Sequence, residues 1–134
     1  MPVLKHIVLI DDDLEDLKIF SAAIRSLCSS AICSVFSDAQ EALFKLTAGE
    51  VSADMVFIDL RMPDMSGQEF LQEFKRQRAL TDIPVIVLSD SSDESSIRVA
   101  KEKGASAFIT KPSAFSKIRE CLRPVLAGTA TADC

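Results

Sequence analysis

The hydrophobic residues of the chain fall in five short runs that are separated by amphipathic segments. The runs are rich in Val, Ile and Phe, which favours β-strands. The first, third and fourth runs show no alternation with polar residues, a pattern typical of parallel strands that are covered on both faces. In chain order the runs are Ile7–Ile10, Ala31–Phe36, Met55–Ile58, Ile83–Leu88 and Ala105–Ile109.

The segments between the runs carry start and stop signals for helices. Asp38–Glu41, Ser66–Glu69 and Ser91–Glu94 each place a capping side chain three residues before a Glu, which resembles a capping box. Gly49 and Gly104 each follow a helical segment, where a left-handed residue often closes the last turn. Strand and helix are therefore predicted to alternate five times along the chain.

This alternation predicts a doubly wound α/β domain, with a parallel sheet and helices on both of its faces. The last helix is predicted over about Ser113–Val125. We expect one domain over residues 1–126, followed by a frayed tail at Ala127–Cys134. The length suits a single hydrophobic core rather than two.

The charge of the chain excludes some classes of function. Of 134 residues, 15 are Lys or Arg and 20 are Asp or Glu, so the formal net charge is -5. This balance is opposite to that of nucleic-acid binders, and no nucleic-acid partner is expected. No apolar run approaches the roughly 18 residues that span a bilayer, and the N-terminus lacks a signal-peptide pattern. We therefore expect a cytoplasmic protein without membrane association.

Cysteine and histidine give no sign of a zinc site. The four cysteines, at Cys28, Cys33, Cys121 and Cys134, form no C-x-x-C pair, and His6 is the single histidine. In the expected compartment the cysteines are predicted to be reduced thiols.

Polar side chains follow four of the predicted strands, at the point where each strand ends. Asp11 and Asp12 follow the first run, Asp59 follows the third, Ser89 follows the fourth and Lys111 follows the fifth. Ligands of open parallel sheets bind beyond the carboxyl ends of the strands. We therefore expect these carboxylates, the hydroxyl and the ammonium to share one edge of the sheet.

A cluster of carboxylates needs either protons or a shared cation. Oxygen ligands select a hard ion such as Mg²⁺. A divalent cation beside Lys111 offers positive charge to the oxygens of a phosphoryl group, and Asp59 is placed as the nucleophile. The residues alone thus point to the formation of an aspartyl phosphate.

With these residues the chain resembles the receiver domain of two-component response regulators, which are phosphoacceptors in histidine–aspartate phosphorelays. The resemblance covers about Lys5–Val125 and lies in Asp11 and Asp12, Ile58–Gly67, Ser89 and Phe108–Pro112. The spacing between these motifs also agrees with the family. The resemblance implies a flavodoxin-like (βα)5 fold with strand order 2-1-3-4-5.

The resemblance also implies a role for each motif residue. Asp59 takes the phosphoryl group, and Mg²⁺ (or Mn²⁺) is the cofactor. The implied metal ligands are Asp12, Asp11 through water, Asp59 and the backbone carbonyl of Arg61. Ser89, Phe108 and Lys111 are the implied switch residues, and the Lys111–Pro112 peptide is implied to be cis.

Three positions near the phosphoacceptor are interpreted as modulators of the phosphoryl group. Asp90 stands where the family often has a small residue, and it adds negative charge and bulk near the entrance. Arg61 and Ser91 flank the path of the hydrolytic water in the family. We expect the Arg61 side chain to affect the lifetime of the phosphoryl group.

The resemblance implies two partner surfaces. A histidine kinase or histidine phosphotransfer protein is expected on the first helix, around Leu14, Leu17 and Lys18. An unknown downstream protein is expected on the face of the fourth helix, fifth strand and fifth helix, and a weak homodimer through that face is the other option. The candidate residues of this second surface are Arg98, Lys101, Phe108 and Lys117.

Two alternatives remain open at this point. A pseudo-receiver would have the fold and would bind partners without being phosphorylated. A phosphatase of the haloacid dehalogenase type would also use an Asp nucleophile with Mg²⁺, but it needs a second Asp two residues later, where this chain has Arg61. Under the leading interpretation the protein is not a turnover enzyme.

Overall fold

The structure is a computed structural model, which describes residues 5–91 and 93–129. Strands and helices alternate strictly along the chain, as the hydrophobic pattern predicts. The strands are β1 (His6–Ile10), β2 (Ile32–Phe36), β3 (Met55–Asp59), β4 (Val85–Ser89) and β5 (Ala107–Thr110). The helices are α1 (Leu14–Leu27), α2 (Ala39–Thr47), α3 (Gly67–Arg76), α4 (Glu94–Glu102) and α5 (Phe115–Thr129).

The five strands form one parallel sheet in the order β2-β1-β3-β4-β5. The predicted flavodoxin-like order is confirmed. Every residue of β3 and β4 is buried, and β1 is buried except for its first residue. These are the three strands that lack polar alternation, and they occupy the centre of the sheet because helices cover both of its faces.

Two hydrophobic clusters sandwich the sheet. On one face, α1 and α5 pack against β1, β3 and β4 through residues such as Phe20, Ile24 and Leu122. On the other face, α2, α3 and α4 pack through residues such as Phe70, Phe74 and Ala100. The sheet is thereby covered on both faces, and the side chains that follow its parallel strands lie along one edge.

Most of the predicted helix signals are confirmed. Asp38 accepts hydrogen bonds from two backbone N–H groups of α2, and Ser66 forms a complete capping box with Glu69 at the start of α3. Asp13 caps α1 as Asp38 caps α2, because its carboxylate accepts hydrogen bonds from two backbone N–H groups of the helix. Gly49 follows α2 with a φ of 78°, in the left-handed region that suits glycine.

The predicted start of α4 is wrong by two residues. The helix begins at Glu94 with Asp93 at the cap position, and Ser91 lies outside it. The Asp93 carboxylate accepts hydrogen bonds from the hydroxyls of Ser95 and Ser96. The predicted stop is confirmed, because Gly104 follows α4 with a φ of 107°.

The last helix is longer than predicted. It continues past Val125 to Thr129 and contains Pro124, which lacks an N–H group and usually signals a helix end. Leu122 and Leu126 on either side of the proline are both buried in the core, and this packing favours continuation of the helix. Of the segment predicted as a tail, residues 127–129 are helical, and residues 130–134 lie outside the described residues. In the described part of the chain, no helix is long and apolar enough to cross a membrane.

The prediction of reduced thiols is confirmed for Cys33 and Cys121, which are free. Cys28 is buried in the core. Cys134 lies outside the described residues.

Candidate functional site

The polar residues that follow the strands meet at one edge of the sheet, as predicted. Asp11, Asp59 and Ser89 lie at the ends of three neighbouring central strands and are 3%, 6% and 2% exposed. Lys111 follows β5, and its backbone N–H donates to the carbonyl of Ser89 at 2.7 Å. Charged and polar groups this deeply buried need partners, because desolvation is costly.

Lys111 is the centre of the buried ion-pair network. Its Nζ donates to Asp11 Oδ2 at 2.7 Å and to Asp16 Oδ2 at 2.8 Å, and it lies 3.1 Å from Asp59 Oδ1. Asp16, in the first turn of α1, is absent from the set predicted from sequence. The sequence feature that could have indicated Asp16 is its position among the acidic residues at the start of α1. Acidic residues at a helix start are equally well explained by their favourable interaction with the helix dipole.

The three carboxylates Asp11, Asp12 and Asp59 form a group that suits a metal ion. One oxygen of each lies within 4.8 Å of the others. Asp11 and Asp59 are buried, whereas Asp12 is exposed, so the group opens to solvent on one side. An all-oxygen donor set of this kind fits a hard divalent cation such as Mg²⁺, which keeps some of its waters.

Local backbone contacts hold the two buried carboxylates in place. Asp11 Oδ1 accepts a hydrogen bond from Asp13 N at 2.9 Å. The loop after Asp59 returns so closely that a Cβ on Gly67 would lie 2.6 Å from the Asp59 carbonyl oxygen. Gly67 also donates its N–H to the carbonyl of Leu60 at 2.9 Å. Only glycine fits this approach, and sequence reasoning treated Gly67 simply as part of a motif.

The electrostatics of the network leave negative charge in excess. Burial raises the pKa of Asp59 to about 6, and the neighbouring charge of Asp11 adds to the rise. Burial also raises the pKa of Asp11, although its hydrogen bond with Lys111 opposes this. For Lys111, burial favours the neutral amine, but hydrogen bonds to Asp11 and Asp16 outweigh it and raise the pKa. A site of this kind favours a further cation.

Ser89 and Phe108 differ in their relation to the cluster. The buried Ser89 Oγ accepts a hydrogen bond from Ser91 N at 3.1 Å, and its own O–H can donate to a ligand. Phe108 is half-buried and packs against the hydrophobic cluster on the α2, α3 and α4 face. Arg61 and Asp90 follow Asp59 and Ser89 closely in sequence, and their side chains are exposed.

Two expectations drawn from the resemblance are wrong. The described residues contain no cis peptide bond, so the Lys111–Pro112 peptide is trans. Leu17, named with Leu14 and Lys18 as part of a docking surface, is buried at 5% exposure and belongs to the core. Leu14 is 63% exposed, and Lys18 is exposed as well. In an amphipathic helix, positions three apart share a face only approximately, and Leu17 lies on the side that faces the sheet.

The raised pKa of Asp59 predicts that Asp59→Asn stabilises the metal-free protein at neutral pH. The folded-state pKa of about 6 lies above the ordinary value of 3.8, so stability falls as the pH rises through this interval. We expect the variant to raise the free energy of unfolding by about 1–3 kcal/mol at about pH 8. The gain should shrink towards zero at about pH 4. Urea unfolding with a chelator at both pH values measures it, and a gain independent of pH would contradict the explanation.

Comparison with known proteins identifies the family. The family model of the response regulator receiver domain matches residues 7–123, which include every polar residue of the cluster. The chain belongs to this receiver family. The match leaves no support for the haloacid dehalogenase alternative.

Relatives of this receiver domain include proteins of similar length and one much longer protein. The two-component response regulator ORR5 of Oryza sativa subsp. japonica is 30% identical over 119 residues, covering 88% of this chain and 87% of ORR5. The cyclic di-GMP phosphodiesterase response regulator RpfG of Xanthomonas campestris pv. campestris is 32% identical over 107 residues. That alignment covers 80% of this chain but only 28% of RpfG.

Solved structures show the same architecture. The crystal structure of the phosphorylated cyanobacterial phytochrome response regulator RcpA has a TM-score of 0.82 and 27% identity, covering 95% of this chain and 96% of RcpA. A response regulator receiver domain from Rhodospirillum rubrum has a TM-score of 0.80 and 27% identity, covering 92% of this chain and 93% of that one. The chain is therefore the receiver domain of a two-component response regulator in fold and family.

Proposed function

We propose that this receiver domain is a phosphoacceptor and that Asp59 carries the phosphoryl group. The observation that supports this most directly is the position of Asp59. Its buried carboxylate lies 3.1 Å from the Lys111 ammonium and within the carboxylate group that suits a divalent cation. The pairing provides a nucleophile together with fixed positive charge for the phosphoryl oxygens.

In the proposed reaction, a carboxylate oxygen of Asp59 attacks the phosphorus of a phosphohistidine. The new O–P bond forms as the P–N bond breaks, and the electron pair leaves with the histidine nitrogen, which takes a proton. Lys111 is within reach to donate a hydrogen bond to a phosphoryl oxygen. The fixed ammonium stabilises the charge on the phosphoryl oxygens because the site is already organised around it.

We further propose that Asp11, Asp12, Asp59 and the backbone carbonyl of Arg61 hold Mg²⁺ or Mn²⁺. The ion supplies positive charge that offsets the negative charges of the carboxylates and of the phosphoryl oxygens. The three clustered carboxylates support this part of the proposal. Asp11 must then serve both the ion and Lys111, since its Oδ2 accepts from Lys111 and its Oδ1 from Asp13.

Phosphorylation would change the partner-binding face through Ser89, Lys111 and Phe108. The backbone N–H of Lys111 donates a hydrogen bond to the backbone carbonyl of Ser89. Each of the two residues has a side chain that can donate to a phosphoryl oxygen. Phe108 lies on β5 and is only half-buried, so it has room to change its packing when Ser89 moves. A ligand shifts a conformational equilibrium only through such differential contacts.

We propose that a histidine kinase or a histidine phosphotransfer protein supplies the phosphoryl group. A downstream protein, or a second copy of the chain in a weak homodimer, would bind the face of α4, β5 and α5. Its candidate residues Arg98, Lys101 and Lys117 are exposed, and Phe108 is half-buried. On this proposal the domain is cytoplasmic and acts as a signalling switch rather than as a turnover enzyme, with neither nucleic acid nor membrane as a partner.

The corrected docking surface on α1 predicts the effect of Leu14→Ala. Because Leu14 is 63% exposed, its loss removes apolar contact area from a partner without opening a cavity in the core. We expect phosphotransfer from the cognate histidine donor to slow by about tenfold, and phosphorylation by a small donor to stay unchanged. Ile19→Ala, on another side of the same helix, is the control. Equal phosphotransfer by Leu14→Ala and the parent would refute this docking surface.

Arg61, Asp90 and Ser91 are proposed to modulate the lifetime of the phosphoryl group. Arg61 lies two residues after the phosphoacceptor and has a long, exposed side chain. On this proposal the side chain limits the approach of water to the phosphoryl group. We expect Arg61→Ala to speed dephosphorylation by about threefold or more, and Arg61→Lys, which keeps length and charge, to stay near the parent. Loss of the phosphoryl group is followed by mass spectrometry after removal of the donor. Equal rates for all three proteins would refute the role of Arg61.

The proposed phosphoacceptor can be located chemically. After incubation with Mg²⁺ and a small phosphodonor, borohydride reduces an aspartyl phosphate to homoserine, and peptide mapping identifies the modified residue. The proposal expects the modification at Asp59. Modification at another carboxylate would refute the assignment, and no modification by either a small donor or a histidine kinase would favour the pseudo-receiver.

A further inference from the structure

The Lys111 ammonium has a third carboxylate partner that lies outside the metal-binding group. Asp16 Oδ2 accepts from Lys111 Nζ at 2.8 Å, a shorter contact than the 3.1 Å from Nζ to Asp59 Oδ1. The Lys111 side chain is 8% exposed and that of Asp16 is 29% exposed. An ion pair that is this well shielded is screened much less than a surface pair.

Asp16 is itself fixed in position by the start of α1. It lies in the first turn of the helix, and its backbone N–H donates to the capping carboxylate Asp13 Oδ1 at 3.3 Å. The helix packs through Leu17 and Phe20 against the core. Asp16 is therefore a rigid anchor rather than a mobile surface charge.

The three N–H donors of Lys111 match three carboxylates. Asp11 and Asp59 both belong to the group that suits a cation, and a bound cation would share their charge. Asp59 also loses its carboxylate charge when it is phosphorylated. Asp16 is the partner of Lys111 that neither event alters, so its contact with the ammonium stays the same throughout the reaction.

We propose that Asp16 is a positioning residue that keeps Lys111 beside the phosphoryl site. This inference rests on the proposed phosphoacceptor function and adds a residue to its machinery. With Asp16 in place, the N–H group of Lys111 that faces Asp59 donates to a phosphoryl oxygen while the Lys111 side chain stays in the same position. Without it, Lys111 loses a fixed partner and part of its preorganisation, which is the property that makes such a donor effective.

The test compares Asp16→Asn and Asp16→Ala with Glu15→Gln. Glu15 neighbours Asp16 in the same helical turn and is exposed, so Glu15→Gln removes an equal charge without touching Lys111. At saturating Mg²⁺, the rate of phosphorylation by a small phosphodonor is measured over a range of donor concentrations. We expect the maximal rate to fall about tenfold in both Asp16 variants and to stay at the parental value in Glu15→Gln.

A second readout does not depend on phosphorylation. The ¹⁵N signal of the Lys111 ammonium reports whether Nζ is ordered and protected from exchange with water. We expect this signal in the parent and in Glu15→Gln, and its broadening or loss in the Asp16 variants, both with and without Mg²⁺. An intact Lys111 signal in Asp16→Ala would overturn the proposal.

Unchanged or faster phosphorylation of the Asp16 variants would also overturn it, because Asp16 would then be inert or would compete with the phosphoryl group. If the parent itself is not phosphorylated by a small donor or by a histidine kinase, the phosphoacceptor function fails and the proposed role fails with it. The ammonium signal distinguishes the two failures, because it shows separately whether Asp16 holds Lys111.

Discussion

Asp59→Asn is expected to take up no phosphoryl group from a small donor or from a histidine donor. Asparagine has nearly the same shape and can still accept a hydrogen bond from Lys111, so the fold and the ion-pair network should survive. It lacks the carboxylate nucleophile, so no new O–P bond can form as the bond between phosphorus and the leaving group of either donor breaks. The expected effect is complete loss of phosphorylation, seen as the absence of a mass increase.

Asp64→Asn is the matched control for this change. Asp64 is an exposed carboxylate in the loop that follows β3, so the substitution removes the same charge a few residues away. It should be phosphorylated like the parent. Phosphorylation of Asp59→Asn at the parental rate would show that another residue is the phosphoacceptor and would contradict the account of the site.

Asp12→Asn is expected to weaken Mg²⁺ binding by about tenfold or more. Asp12 is the exposed member of the three-carboxylate group, so its loss disturbs the buried network less than loss of Asp11, which also accepts from Lys111. Asparagine keeps one carbonyl oxygen but lacks the formal negative charge of the carboxylate, and this loss of charge lowers the affinity for a hard cation directly. Titration calorimetry with MgCl₂ measures the change.

Glu15→Gln controls for the loss of net charge in this titration. It removes one negative charge close to the site but no member of the group. Phosphorylation of Asp12→Asn should recover in part at high Mg²⁺ concentration, because the variant weakens binding rather than removing the nucleophile. Equal Mg²⁺ affinity in Asp12→Asn and the parent would show that the ion binds elsewhere.

The parts of the molecule that were predictable from sequence are those that a local pattern determines. The central strands were evident because burial on both faces leaves a continuous apolar run, as in Met55–Ile58. The meeting of Asp11, Asp59 and Lys111 was predictable because parallel strands bring their carboxyl ends to one edge of a sheet. Capping by Asp38 and Ser66 is equally local.

The parts that were missed depend on packing in three dimensions. Asp16 contacts Lys111, which lies 95 positions later in the sequence. Nothing in the sequence of the first turn of α1 distinguishes an acidic residue with this contact from one that only stabilises the helix start. The burial of Leu17 follows from the rotation of α1 on the sheet, which periodicity gives only approximately. The continuation of α5 through Pro124 depends on the core contacts of Leu126, which outweigh a local stop signal.

The measurement that tests the central claim most directly is the intact mass of the protein after incubation with Mg²⁺ and a small phosphodonor. Parallel samples contain a chelator or the Asp59→Asn variant. The account predicts one added phosphoryl group in the parent with Mg²⁺ and none in either control. A phosphoryl group added equally to Asp59→Asn, or added in the presence of chelator, would contradict the assignment of Asp59 and its carboxylate neighbours as the site of a Mg²⁺-dependent phosphoacceptor.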